Sequence, residues 1–283
     1  MKSALSGRAA RASRRTKSAP VFPAWNPVDY AANSAVQQSW AGELIARLKL
    51  RGGEHILDVG CGDGKITAEL ARAVPQGSVV GLDASAEMIG FARETFPAAE
   101  YSNLEYQIAD AREIRSPKKF DVFFSNAALH WVDDHEAILC GAASVLKTGG
   151  QLIISCGGKG NAHDVFLSFR PEMRLKRWCQ YFRQMPLPYF FYGPADYEKW
   201  LSQAGFNIQR LELAPKDATY AGATGFATWL RTTWLPFVQR VPENLREEFI
   251  AAVTRRYVAR HPPDAAGKVH VRMVRLEIEA VKV

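Results

Sequence analysis

Cysteine is scarce in this chain of 283 residues, and acidic residues are missing altogether from its first twenty. The four cysteines (Cys61, Cys140, Cys156 and Cys179) show no zinc-type pairing and no disulfide framework, and read as reduced thiols of an intracellular, cytoplasmic protein. No cluster has metal-ligand spacing, and no segment repeats. No apolar run approaches the roughly 20 residues that a membrane span needs. A basic stripe is also lacking in the body of the chain. The net charge is +7, but Lys2, Arg8, Arg11, Arg14, Arg15 and Lys17 supply six of those charges, which leaves 7 − 6 = +1 for the rest. That near-neutral remainder argues against a nucleic-acid substrate. Three readings of residues 1–24 compete: a disordered basic arm that touches an anionic surface, an organelle-targeting segment, and a plain solvated extension. The sequence carries no signal for oligomeric state.

Apolar residues make up 47% of the chain, enough for a sizeable core, and the length suits one domain over 25–283 with insertions. After a helical stretch over 29–48, strands and helices alternate. Strands are expected at 55–59, 78–82, 104–109, 120–125 and 151–155, with helices at 65–74, from Ser85 onward, and at 135–146. Strands separated by helices imply right-handed crossovers and a parallel sheet. The rhythm breaks at Gly157. Residues 157–193 are dense in aromatic and basic side chains and read as a helical insertion or lid. A helix over 196–204 and a strand over 206–213 follow. A second helical insertion spans about 224–262, and an alternating run over 270–281 reads as the last strand.

Residues 57–65 read Leu-Asp-Val-Gly-Cys-Gly-Asp-Gly-Lys, a strand that runs into a glycine loop with a helix behind it. Glycine permits tight turning and close backbone approach, and the helix start offers free N–H groups. The dinucleotide pattern G-x-G-x-x-G would need a third glycine where Lys65 stands. Asp58, at the strand end, would repel a pyrophosphate but suits a ligand with an ammonium group, as in S-adenosyl-L-methionine. The second strand ends in Asp83, placed to accept ribose hydroxyls, and the third in Asp110-Ala111, placed to read an adenine edge.

With acids at three successive strand ends, the block resembles the class I S-adenosylmethionine-dependent methyltransferases. The resemblance implies a Rossmann-like α/β fold: a mostly parallel seven-stranded sheet, helices on both faces and a helical substrate lid. It also implies that Gly60 and Gly62 cradle the methionine part, Asp83 holds the ribose and Asp110 contacts the adenine. Asp58, Cys61, Ala84, Ala111 and Asn126 complete the expected donor set. Trp25-Asn26-Pro27 with Tyr30, Asn126-Ala-Ala-Leu-His-Trp131 and Trp229-Leu-Arg-Thr-Thr-Trp234 are similar to the trans-aconitate methyltransferase branch, over about residues 25–281. That branch methylates a carboxylate of a small polycarboxylic acid. Juvenile hormone acid methyltransferases are similar near a helix glutamine, here Gln37 or Gln38, and near His130-Trp131.

A carboxylate is ionised at neutral pH, its ordinary pKa being about 4, so methylating it needs placement and dryness rather than a base. Gln37, His130 and Trp131 are the expected catalytic residues. Tyr30, Arg231 and Arg275 are the expected substrate contacts, because guanidinium grips carboxylate bidentately. Arg275 shares a strand face with Glu277 and Glu279, and a solvent-facing position would explain it equally well. An amine, phenol or carbon acceptor would call for His130 or His135 as a base. A non-catalytic donor-binding module and an RNA methyltransferase recruited through the tail are the remaining alternatives.

Overall fold

The computed structural model describes residues 25–33 and 35–283. The tail at 1–24 and the Gln37 side chain lie outside the described residues. Helices α1 (Pro27–Asn33) and α2 (Ala35–Leu48) precede β1 (His55–Val59), α3 (Lys65–Ala73), β2 (Ser78–Asp83), α4 (Ala86–Thr95), β3 (Leu104–Ile108) and β4 (Phe120–Asn126). Then come α5 (His135–Val145), β5 (Leu146–Gly157), α6 (His163–Arg174), α7 (Pro194–Gln203) and β6 (Phe206–Ala221). Helices α8 (Gly222–Thr233), α9 (Leu235–Val238) and α10 (Glu243–Arg260) lead into β7 (Lys268–Lys282).

The seven strands form one sheet in the order β3-β2-β1-β4-β5-β7-β6. β1 to β5 pair in parallel, and β7 runs antiparallel to both β5 and β6. The order reverses between β1 and β4, and ligands of open α/β sheets lie at the carboxyl ends of the strands at such a switch point. Two strands run well beyond their expected bounds. β5 starts at Leu146 because Leu146 pairs with Phe120 across an irregular register. β6 continues to Ala221 because β7 pairs with it over its whole length, down to Lys268.

Alternation along the strands builds a core on each face of the sheet. Leu57, Val80, Phe123 and Leu152 meet Ile138, Leu139 and Leu201 of α5 and α7. Ile56, Val79, Val122 and Ile153, one residue out of step, meet Leu44, Leu70 and Ile89 of α2, α3 and α4. The caps fit the sequence: Ser85 Oγ accepts the Met88 N–H at 3.2 Å, and Asp134 accepts the Ala137 N–H at 3.1 Å. A third core joins the two insertions. Phe166 and Phe169 of α6 pack with Trp234, Phe237 and Phe249, over Val269 and Val271 of the far end of β7. Aromatic residues favour such contacts through large area and edge-to-face geometry. This aromatic layer stands beside the carboxyl ends of the strands.

Candidate active site

Two clefts meet there. The first, about 590 Å³, is lined by Gly60, Asp83, Ala84, Asp110 and Ala111, with Ala128, Leu129 and Val132 opposite. Gly60 has φ of 79°, and a Cβ there would lie 2.1 Å from the Ala128 Cβ, so only glycine fits. The Gly60 and Cys61 N–H groups donate to the Leu82 carbonyl at 2.7 and 3.0 Å, which folds the loop back onto β2. Asp83 secures it further. One carboxylate oxygen accepts the Gly62 N–H at 3.0 Å and the other the Ser85 N–H at 2.9 Å. Burial nevertheless pushes the Asp83 carboxyl above its ordinary range, against the pull of those N–H groups. Asp110 is held from behind by Arg112, whose guanidinium reaches both carboxylate oxygens, the shortest contact at 2.6 Å. That pairing lowers its pKa.

Three residues expected at this cleft do not line it. Asp58 is buried, accepts the Thr67 hydroxyl at 2.7 Å and ties β1 to α3. Burial raises its pKa to about 7, so it does not present the ready anion expected for an ammonium group. Cys61 is buried against Gly81 and is packing, as its small size suggests. The Gly62 N–H is used by Asp83. Asn126 also departs from expectation: it does not line the first cleft, and its Oδ1 accepts from Arg275.

The second cleft, about 620 Å³, opens against the aromatic layer. Trp25 and Trp131 line both clefts, edge to face with ring centroids 5.3 Å apart, and so form the partition. Tyr30, His130 and Arg275 line the second cleft with Trp40, Tyr189, Phe191, Trp229 and Trp234. Arg275 does not face solvent: it is 3% exposed. Its Nε donates to Ser155 Oγ at 3.0 Å, and its Nη2 donates to the Ser155 carbonyl at 2.6 Å and to Asn126 Oδ1 at 3.1 Å. The guanidinium carbon stands 5.2 Å from the Trp40 ring centroid, a cation–π contact. All three acceptors are neutral, and Nη1 makes no hydrogen bond among the described residues. Burial lowers the Arg275 pKa to about 10, yet it stays a cation at neutral pH.

His130 accepts the Gly157 N–H on Nδ1 at 3.3 Å. Burial and the nearby Arg275 depress its pKa to about 3, so the imidazole is neutral and its proton sits on Nε2. Such a ring can donate a hydrogen bond but is a poor base. His135 lies away from the cleft. It is bonded to Tyr197 and to the Leu129 carbonyl, with its pKa depressed to about 4 by burial. Gln38 is committed to Glu69.

Arg231 is a correction. It lies on the outer side of α8 in a bidentate pair with Glu247, at 2.6 and 2.7 Å, and lines neither cleft. Sequence reasoning missed Ser155, which anchors Arg275. The aromatic run around 178–192 divides: Trp178 and Phe182 are core, while Tyr189 and Phe191 wall the cleft. A serine in an otherwise apolar strand was the available signal.

Among the described residues, no helix is long and apolar enough to cross a membrane. Residues 50–205 match the family model described as a methyltransferase domain. The chain is 34% identical over 192 residues to an uncharacterized methyltransferase of Schizosaccharomyces pombe, covering 66% of this chain and 72% of the relative. It is 30% identical over 258 residues to a trans-aconitate 2-methyltransferase of Paracidovorax citrulli, covering 90% and 97%. In fold it is similar to magnesium protoporphyrin IX methyltransferase from Synechocystis, solved with bound S-adenosylhomocysteine. There the TM-score is 0.52, the identity 17%, and the coverage 90% of this chain and 86% of that one. A glycine loop with no room for a Cβ at Gly60 and acids at neighbouring strand tips fit a nucleoside-bearing donor, and with these matches the chain belongs to the class I S-adenosylmethionine-dependent methyltransferases.

Proposed function

We propose that this methyltransferase esterifies a carboxylate of a small organic acid held in the second cleft. The observation that carries the reading is Arg275. A buried guanidinium with no carboxylate at ion-pair distance among the described residues, Glu277 acting on it only from farther off, is costly to keep unless an anion completes it. Glu277, on the same strand, is already surrounded by Arg47 at 2.6 Å, Arg210 at 3.2 Å and Lys216 at 3.8 Å. The acceptor supplies the missing charge. The relatives named trans-aconitate 2-methyltransferase support a carboxylate as the methyl acceptor.

Asp83 and Asp110 are assigned to the ribose and adenine, and the loop at Gly60 to the methionine part. S-adenosylmethionine brings a methyl already activated on a sulfonium, so no proton need be removed from a carboxylate. The chain's work is placement. Arg275 fixes the carboxylate, the neutral His130 donates its Nε2–H to the acceptor, and Trp25 and Trp131 exclude water between the two ligands. Gln37 is kept as a further orienting group.

The test is a screen of purified protein with methyl-labelled donor against small carboxylic acids, scored for base-labile ester. Arg275→Gln should cut kcat/KM for the best acid by about a hundredfold, in keeping with the loss of a buried charge pair. Donor affinity by calorimetry should stay within about twofold of wild type. Unchanged turnover in Arg275→Gln, or products found only on amines, would sink the reading.

A further inference from the structure

We infer that the acceptor carries one carboxylate on an otherwise apolar body, and that acids with three carboxylates are poor substrates for this chain. The inference rests on the carboxylate reading above and narrows it.

Of the fifteen described residues that line the second cleft, eight are Trp, Tyr or Phe, and among these fifteen Arg275 alone carries a charge. The other arginine offered by the sequence, Arg231, is neutralised by Glu247 outside the cleft. Several polar groups of the wall are committed. The Thr233 hydroxyl donates to the Trp229 carbonyl at 2.5 Å, and Asn161 Oδ1 accepts the Val274 N–H at 3.0 Å. His130 Nδ1 accepts the Gly157 N–H. Arg275 has given Nε and Nη2 to Ser155 and Asn126, and keeps Nη1. One ionised carboxylate can be matched by that remaining nitrogen together with the His130 Nε2–H. A second and third would be desolvated against ring faces with no cation to meet them. Apolar bodies gain instead from each ring face they cover.

The rings are also fixed from behind. Tyr189 stacks on Phe191 at 5.4 Å and packs against Trp131 at 4.8 Å. Trp234 is edge to face with Phe166 at 4.9 Å and stacked on Phe169 at 4.9 Å. Rings packed in this way cannot swing out to admit water or counter-ions without opening the third core.

The experiment compares decanoate and 3-phenylpropionate with trans-aconitate and its saturated analogue, using the full-length protein and methyl-labelled donor. The better monoacid should exceed trans-aconitate by about a hundredfold in kcat/KM. Met273 lies two residues before Arg275 on β7 and lines the same cleft. Met273→Lys adds a second cation there and should raise the ratio of tricarboxylate to monoacid turnover by about tenfold, with donor affinity unchanged. Trans-aconitate turned over as well as or better than both monoacids overturns this inference and leaves the carboxylate reading standing. A Met273→Lys ratio that does not move counts against it too. Failure of every acid to yield base-labile ester, with methyl appearing on amines or phenols, overturns the carboxylate reading itself.

Discussion

Arg275 Nη2 lies 3.1 Å from Asn126 Oδ1, so a side chain of β7 reaches across β5 to the tip of β4. The acceptor anchor is thereby referenced to a strand that adjoins β1, which carries the glycine loop. Asn126 was expected at the donor, yet in the fold it holds Arg275, the proposed acceptor anchor. Ser155 makes the same link one strand nearer, through both its hydroxyl and its carbonyl.

Asp83→Ala should weaken donor binding by about tenfold to a hundredfold, measured by calorimetry. The change removes the acceptor for the Gly62 and Ser85 N–H groups as well as the assigned ribose contact. Asp83→Asn keeps one acceptor oxygen and should fall between. Donor affinity untouched in Asp83→Ala would contradict the assignment.

Gly60→Ala should destabilise the fold by about 2–4 kcal/mol in urea denaturation, because its Cβ would meet the Ala128 Cβ at 2.1 Å in a left-handed backbone. Gly60→Ala with Ala128→Gly removes the clash but not the backbone strain, so only part of the loss should return. Full recovery would mean that φ at this position costs nothing.

Protonation of His130 should shape stability rather than turnover. Its folded pKa, about 3, lies below the ordinary 6.5, so the unfolded chain takes up the proton first as pH falls. The contribution of this residue is therefore complete above about pH 6.5 and is lost as pH drops toward 3, by up to about 1.4 kcal/mol per pH unit. His130→Asn should show a shallower fall in unfolding free energy between pH 6.5 and 5 than wild type. Its kcat with a carboxylate acceptor should drop only partly, with no titration between pH 6 and 9. Complete loss of turnover across that range would point to a base and a different acceptor.

Arg231→Ala should leave kcat/KM within about twofold and cost less than about 1 kcal/mol of stability. Its partner Glu247 lies on the surface, and such ion pairs contribute little. A large rise in KM for the acid would return Arg231 to the acceptor site.

The donor side was legible because its signals are local. The glycine loop, the acids at successive strand tips and the Ser85 cap each lie within a few residues of the element they position. The acceptor side depends on contacts between distant segments. Arg275, Glu277 and Glu279 alternate with apolar residues as an exposed strand face would. Arg47 from α2 and Arg210 and Lys216 from β6 cover Glu277, and no short window displays that. Arg231 failed for the complementary reason, since its partner Glu247 arrives from another helix. Asp58 was placed correctly at the strand end, but its burial beneath α3 depends on how that helix docks.

The partition formed by Trp25 and Trp131 has a consequence for how this enzyme can diversify. The chamber for the donor draws its walls mainly from segments between Val59 and Val132, whereas most of the neighbouring wall comes from beyond Asn161. Substitutions in the later segments can retune what receives the methyl while the earlier ones keep the same donor. Two indoles shared by both chambers are the places where change on one side is felt on the other.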